Sequence, residues 1–379
     1  MADCAGVDAR GLSVALRLAL GPRLERLELE RCGRGLVDAW ADVGPGEEPP
    51  ALAPHLRSLR ATGAYTLTDE GLASLLRHAP GLKRLAVPEA ARIGPGLLAS
   101  LPETCPDLED LDVSGCEGLF SPAPGTTSAP TSPIVAAVRA LPRLSGLRLD
   151  RLGAAVDDKL LAALADAAPD LARLSVGRAE AVTEAGLSAI LSRLPALEEV
   201  ELDDVGEGKA VTDATLELLV ASCPASDDGS GGGGAQICYT DRPTLHLTDT
   251  PTLPPPDVLL DFCPSQRLSV VSLRGCREVS DAAAASFVAV TAPRLRRLVL
   301  HGVYQAGPQT LGALAAADLP RLAHLDLSWI AAVTDDLLGP AVADKGRAPA
   351  LRDLHVWGCP ALGARFLKGH GRPELTVHC

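Results

Sequence analysis

The sequence predicts an α/β solenoid in which one strand–turn–helix unit repeats along a single elongated domain, residues 1–379. Three observations support this prediction. A short apolar pattern, L-x-x-L-x-L, recurs along the chain; apolar residues at helical spacing follow most copies; and the copies are most often 26 or 27 residues apart. A unit of this size cannot bury its apolar face alone, so stacked units must share one core.

The segment Asp170–Pro195 illustrates the unit. Its strand part has Leu174 and Val176 in alternation, as a half-buried strand requires. Its helix part follows the i, i+3, i+4, i+7 spacing of an amphipathic helix, with Leu187, Ile190, Leu191 and Leu194. We expect Thr183 to cap the free amides of this helix and Pro195 to end it.

The copies follow one another along the whole chain. Their first leucines are Leu24, Leu56, Leu82, Leu108, Leu144, Leu171, Leu197, Leu268, Leu295, Leu322 and Leu351. A further degenerate copy is expected from Arg242, with Leu245 and Leu247 in its strand, and Leu375 and Val377 alternate like a short closing strand. The period lies within the roughly 20–29 residues of a leucine-rich repeat. We therefore expect parallel strands on a concave face and helices on the convex face.

Three segments depart from the repeat. Residues 1–22 match only the back half of a unit, so either the natural protein extends upstream or the chain begins at a bare end. Residues 121–133, rich in Ser, Pro and Thr, predict a flexible insertion, with a phosphorylation site or a partner clamp as the alternative. Residues 225–241 contain four consecutive glycines without a following Gly-Lys-Ser/Thr, which predicts a flexible linker rather than a phosphate loop.

The cysteines indicate an intracellular protein. Five of the ten fall three residues after the last apolar position of a strand, where other copies have Ala or Val: Cys4, Cys32, Cys116, Cys276 and Cys359. A slot shared by these residue types is small and buried, so we expect reduced thiols that pack in the core. Such thiols favour a cytoplasmic or nuclear location.

Charge and hydropathy exclude two classes of partner. No apolar run reaches the roughly 18 residues of a membrane span, and the N-terminal residues lack a signal-peptide pattern. A net charge of -13 without a basic run opposes direct binding of nucleic acid. We expect neither membrane nor direct nucleic-acid contact, and no cofactor.

Several copies extend the pattern to L-x-x-L-x-L-x-x-C-x-x-(L/V)-(T/S)-D-x-x-L, as in RLSVVSLRGCREVSDAAAASF from Arg267, and end in Cys-Pro, as in ELLVASCP from Glu217. This resembles the cysteine-containing leucine-rich repeats of F-box/leucine-rich-repeat proteins. The last unit, with Val356-Trp357-Gly358-Cys359 and Phe366-Leu367-Lys368-Gly369-His370, is similar to the end of the leucine-rich-repeat subunit of nucleotide-excision-repair ubiquitin ligases. The resemblance implies a ribonuclease-inhibitor-like horseshoe that recognises a substrate and docks on a ubiquitin ligase through a separate N-terminal segment. No F-box-like segment precedes the repeats in this sequence.

The strand positions that point away from the core form columns across the concave face, about 4.8 Å apart. In the N-terminal and middle units they hold acids, Glu28, Glu30, Asp110, Asp112, Glu199, Glu201 and Asp203, among Arg26, Arg60, Arg84, Arg148 and Arg173. A solvated polar face explains this mixture. The C-terminal units combine Arg, His and Trp, residue types found at interface hot spots. The predicted partner-binding residues are Arg274, Arg297, His301, His324, Asp326, Ser328, Asp353, His355 and Trp357.

Within these columns His324 should neighbour Arg297 and Asp353, and Asp326 should neighbour His355. Such His–carboxylate pairs beside Ser328 are compatible with a hydrolase or a metal site, but no HExxH, CxxC pair, GxSxG or Walker motif accompanies them. An open sheet also excludes little water. We therefore expect no enzyme, and we expect the histidines to make partner binding pH-sensitive near neutrality.

Together these features predict a non-enzymatic scaffold that binds a protein on its concave face. The resemblance favours substrate recognition for a cullin-type ubiquitin ligase, with nucleotide-excision DNA repair as the specific process and ligase subunits as further partners. The alternative is a signalling or structural leucine-rich-repeat scaffold without a ubiquitin-ligase role.

Overall fold

The computed structural model contains one twelve-stranded parallel sheet whose strands follow one another in chain order. It describes residues 24–30, 55–120, 132–221, 268–343, 346–363, 366 and 371–379. The strands are β1 (Arg26–Glu30), β2 (Ser58–Thr62), β3 (Arg84–Ala86), β4 (Asp110–Asp112), β5 (Gly146–Arg148), β6 (Arg173–Ser175), β7 (Glu199–Glu201), β8 (Val270–Ser272), β9 (Arg297–Val299), β10 (His324–Asp326), β11 (Asp353–His355) and β12 (Thr376–His378). Such a sheet is what stacked repeats produce, since each strand pairs only with its neighbours in sequence.

Nine α-helices lie between these strands within the described residues. They are α1 (Asp69–Leu76), α2 (Pro95–Thr104), α3 (Pro133–Ala140), α4 (Asp158–Ala167), α5 (Glu184–Leu191), α6 (Asp213–Ala221), α7 (Asp281–Thr291), α8 (Pro308–Ala316) and α9 (Asp335–Ala343). Each packs against the next helix along the chain. None of them is both long and apolar enough to cross a membrane. The parallel strands and the helices packed between them together form the α/β leucine-rich-repeat solenoid that the apolar periodicity predicts.

The sheet register brings equivalent apolar residues into one continuous core. Leu85 pairs with Leu111, and Leu111 pairs with Leu147, so the central leucine of each strand lies beside that of the next. All three are buried. The predicted closing strand is confirmed as β12, in which Val377 pairs with Leu354. Period-2 alternation therefore predicted correctly which side of each strand faces the core.

Aspartates at the start of helices join neighbouring repeats. The Gly94 amide donates to Asp69 Oδ1 at 2.6 Å, and the Gly307 amide donates to Asp281 Oδ1 at 2.7 Å. Equivalent bonds, donor first, link Thr183 to Asp158, Ser280 to Asp213 and Gly363 to Asp335. The Asp of the (T/S)-D pattern thus satisfies a backbone amide of the following unit, which stabilises the stack as well as the helix that the Asp begins.

Thr183 does not cap its helix through its side chain. Its hydroxyl donates to Asp158 Oδ2 at 2.6 Å, and no helix amide donates to it. The capping role expected for the Thr183 side chain is therefore wrong. Thr68 and Ser280, in contrast, do accept hydrogen bonds from amides of the helices that follow them.

The repeat-slot cysteines bond to the backbone of the preceding unit. The thiols of Cys116, Cys276 and Cys359 donate to the carbonyls of Val87, Leu202 and Leu327 at 3.1, 3.4 and 3.3 Å. Cys116 and Cys276 are fully buried, which confirms the predicted packing role, whereas Cys359 is only partly buried. Burial raises the pKa of the Cys116 thiol to about 11, so this thiol is protonated at neutral pH. Cys4 and Cys32 lie outside the described residues.

Two expectations concern segments at the limits of the described residues. Strand β7 pairs directly with β8, with Glu199 opposite Val270. A further strand was expected from Leu245 and Leu247. Those two residues lie outside the described part of the chain, as do residues 1–22 and 225–241. The expected insertion at 121–133 also ends earlier, because α3 begins at Pro133, a favoured first helical residue.

Candidate functional site

The N-terminal and middle strands line an open groove of about 770 Å³. Charged side chains of β1 to β7 form most of its wall, which places the strands on the concave side of the solenoid. Opposite charges pair there: Arg173 Nη2 lies 2.7 Å from Asp110 Oδ1, and Arg148 Nη1 lies 3.2 Å from Glu201 Oε2. Much of the charge of this half is therefore compensated within the protein.

The C-terminal half of the face has the predicted column register. His324 pairs with Arg297 on one side and with Asp353 on the other, and Asp326 pairs with His355. We call the set Arg274, Arg297, His301, His324, Asp326, Ser328, Asp353, His355 and Trp357 the C-terminal concave surface. Its side chains come from strands β9 to β11 and from the residues that directly follow β8 to β11.

Two members of this set are buried, which corrects the expectation that they face a partner. Ser328 has no exposed surface and Asp326 is 5% exposed. The Ser328 hydroxyl accepts a hydrogen bond from the Trp357 amide at 3.1 Å. The Trp357 amide lies just after its strand and needs an acceptor, and the Ser328 side chain of the preceding unit turns inward to supply one. Asp150 accepts from the Gly177 amide, and Asp203 from the Arg274 amide, in the same way.

Asp326 organises the side chains around it. Its carboxylate accepts a hydrogen bond from the Ser328 amide at 2.9 Å. Its Oδ2 lies 3.6 Å from Arg274 Nη2 and 3.6 Å from His301 Nδ1. A carboxylate with little exposed surface and two cationic or potentially cationic neighbours holds both of them in place on the open face.

The His–carboxylate contacts differ from those expected. Within ion-pair distance, His301 rather than His355 is beside Asp326, and His378 rather than His324 is beside Asp353, at 3.9 Å. The histidines instead stack on one another. The ring centroids of His324 and His355 are 4.9 Å apart, and those of His355 and His378 are 4.2 Å apart at an interplanar angle of 17°.

Burial lowers the pKa of two of these histidines. For His324 burial is the largest cause, and the nearby Arg297 lowers the pKa further. For His355 burial is again the largest cause, followed by the effect of His378. Both imidazoles therefore acquire their charge at lower pH than an exposed histidine does.

Two exposed aromatic residues beside this surface were missed from the sequence. Trp329 is 54% exposed and Tyr304 is 64% exposed, compared with 52% for Trp357. Trp329 has φ +63°, a left-handed conformation that costs a bulky residue about 1–3 kcal/mol. The sequence contained a signal, because Trp329 occupies the repeat position that holds Gly275, Gly302 and Gly358 in the neighbouring units.

The arrangement offers groups that can bind a partner. The Ser328 hydroxyl is buried and bonded to the Trp357 amide, so it is poorly placed as a nucleophile. Among the described residues, no group of three or more His, Cys, Asp or Glu side chains could hold a metal ion. What the surface exposes is arginine, imidazole and indole.

Among the comparisons with known proteins, one solved structure supports the fold. No family model and no curated protein matches the sequence. The chain is similar to a chain in the crystal structure of the Rad7 and Elc1 complex in yeast, with a TM-score of 0.66, 18% identity, and coverage of 99% of this chain and 78% of that one. It is also similar to the leucine-rich-repeat-containing protein LegL7 from Legionella pneumophila, with a TM-score of 0.46, 13% identity, and coverage of 87% of this chain and 88% of that one.

Proposed function

We propose that this protein is a non-enzymatic scaffold that binds a protein partner on its C-terminal concave surface. The observation that carries this proposal is that Trp357 is half exposed above a fixed network of hydrogen bonds and ion pairs. Its amide is held by Ser328, and Asp326 positions Arg274 and His301 nearby. An exposed indole surrounded by positioned arginine and histidine has the composition of an interface hot spot.

The contrast with the other half of the face supports this choice. There, Arg148, Arg173 and their carboxylate neighbours satisfy one another, so a partner would have to break ion pairs to bind. On the C-terminal concave surface, Arg297 is exposed and forms no ion pair with any described carboxylate. Binding to Arg297 exchanges water for partner contacts without that loss.

More specifically, we propose that the partner is a substrate of a cullin-type ubiquitin ligase, with nucleotide-excision DNA repair as the process. The repeat pattern and the Val356–Cys359 ending support this assignment through their resemblance to ligase subunits. One neighbour of known structure is a chain of the Rad7 and Elc1 complex. Buried, unpaired thiols such as those of Cys116 and Cys276 fit a cytoplasmic or nuclear protein.

Affinity purification from cells with the full-length protein as bait tests this proposal. Recovery of cullin and adaptor subunits together with a substrate is the expected result. A reproducible set of partners that contains no cullin and no adaptor would contradict the ligase role and favour a signalling or structural scaffold. Loss of the substrate alone from a Trp357→Ala bait is expected, because adaptor subunits should bind elsewhere.

A further inference from the structure

An aromatic edge runs along the C-terminal units beside the concave surface. It consists of Tyr304, Trp329 and Trp357, which follow β9, β10 and β11 in consecutive units. The whole sequence has only three Trp and three Tyr. Both tryptophans of the described residues are on this edge, and each is more than half exposed. In a protein with so few aromatic residues, this concentration on one open edge indicates a contact surface.

The ring of Trp329 strengthens this interpretation. The left-handed conformation of this residue is adopted by glycine in the two units before it and in the unit after it. The indole lies over Gly358, where a Cβ atom would come within 2.6 Å of Trp329 Cδ2. The glycine at position 358 thus makes room for the Trp329 ring, and that ring remains exposed. The exposed ring over Gly358, rather than the φ angle, therefore marks this surface. The same left-handed backbone recurs at this position of earlier units in residues other than glycine, namely Glu89, Arg151, Arg178 and Asp204.

Cationic groups surround the aromatic edge. Four exposed arginines lie on or beside strands β8 to β11: Arg274, Arg296, Arg297 and Arg352. Two aspartates oppose them, of which Asp326 is buried and Asp353 is half exposed. Within two residues of these strands the arginines therefore outnumber the aspartates, in a chain of net charge -13.

The equivalent edge of the earlier units is different. At the repeat position of Trp329, Arg151 pairs with Glu89 at 2.7 Å and Arg178 pairs with Asp204 at 3.9 Å. Those units therefore present ion pairs and no exposed aromatic ring, whereas the last units present indole rings and arginine. Tyr65 of the β2 unit is also exposed, at the repeat position of Tyr304, so the two tryptophans beside arginine distinguish the last units from the rest of the rim.

We propose that the aromatic edge and the arginines beside it bind an extended acidic peptide segment of a partner protein. Apolar side chains of the segment stack on Trp329 and Trp357, and its carboxylates pair with Arg274 and Arg297. A chain of contacts from Arg274 through Asp326 and Ser328 to Trp357 fixes the arginine relative to the indole before binding. This inference rests on the proposed protein-binding function and adds the chemistry of the bound segment.

Fluorescence anisotropy with the full-length protein tests the inference directly. The probe is a short fluorescein-labelled peptide in which Leu and Phe alternate with Glu, and its control has Lys in place of every Glu. We expect the acidic peptide to bind at least about tenfold more tightly than the basic one, with affinity falling as salt is added. Arg274→Glu with Arg297→Glu should abolish this preference, whereas Arg60→Glu, an exposed arginine on β2, should preserve it.

Trp329→Gly provides a second test of the inference. This substitution should not destabilise the fold, because glycine tolerates the left-handed backbone. We expect Trp329→Gly to weaken binding of the acidic peptide about tenfold, while the melting temperature of the protein stays equal or rises. The matched control is Arg178→Gly, which makes the same backbone change outside the aromatic edge and should leave peptide affinity unchanged.

Equal affinity for the two peptides, or tighter binding of a short oligothymidylate than of the acidic peptide, would overturn the inference. The proposed function would survive either result if binding of the cell-derived partners still depended on Trp357. If those partners were also insensitive to Trp357→Ala, the proposed function itself would fail.

Discussion

The backbone amide of Trp357 donates a hydrogen bond to the buried hydroxyl of Ser328 at 3.1 Å, so a serine of one repeat positions the exposed tryptophan of the next. Removal of that hydroxyl leaves a partly buried amide without its acceptor. We expect Ser328→Ala to lower the free energy of unfolding by about 1–3 kcal/mol. Urea denaturation measures the change, with Ser192→Ala, an exposed helix serine, as the control. A loss no larger than that of the control would contradict this role.

Asp281 gives the clearest test of the bonds between repeats. Its carboxylate accepts from the amides of Gly307, Gln309 and Thr310 and from the Thr310 hydroxyl. We expect Asp281→Ala to destabilise the protein by about 1–3 kcal/mol, because the first turn of α8 loses its acceptor. Asp318→Ala, an exposed aspartate, should have little effect in the same urea titration.

The Asp281 contribution should also depend on pH. Partial burial acts to raise its pKa, but the hydrogen bonds outweigh that effect and the pKa is lowered. A carboxylate with a lowered folded pKa stabilises the protein above the unfolded value, about pH 4, and the contribution is lost as pH falls through the folded pKa. The difference between wild type and Asp281→Ala should therefore shrink in strong acid.

Leu327 tests the shared core. It has no exposed surface and precedes Ser328 on the inward side of its unit. We expect Leu327→Ala to cost about 2–5 kcal/mol through the cavity it leaves. Thermal or urea unfolding measures this loss, and a loss below about 1 kcal/mol would contradict full burial of the leucine in a shared core.

The histidine stack predicts a loss of stability in mild acid. Burial lowers the pKa of His324 and of His355 in the folded state, so the unfolded chain binds protons first as pH falls. Stability from these groups is complete above about pH 6.5 and declines as pH falls through that value toward the folded pKa. Urea titrations between about pH 7.5 and 5.5 measure the slope. His324→Gln with His355→Gln should flatten it, whereas exposed His55→Gln should not. A slope unchanged by the double substitution would contradict the prediction.

The apolar periodicity was sufficient to predict most of the fold. Leucines such as Leu325 and Leu354 pair in the expected register, so the neighbours of His324 could be named in advance.

The site was predicted less completely, for local reasons. Ser328 was expected to be exposed, but alternation ends with the strand, and the next amide draws the side chain inward. Trp329 lies outside the apolar positions of the repeat, so periodicity did not predict its exposure. Only its place where neighbouring units have glycine indicated a left-handed backbone. His378 was not connected with His355, because stacking depends on a strand outside the regular period.

The affinity of the cell-derived partner for Trp357→Ala tests the central claim most directly. The matched control is Tyr65→Ala, which removes another exposed aromatic ring near the opposite end of the solenoid. We predict that Trp357→Ala weakens binding about tenfold or more at an unchanged melting temperature, while Tyr65→Ala binds like wild type. Equal affinity of the two variants would contradict binding on the C-terminal concave surface.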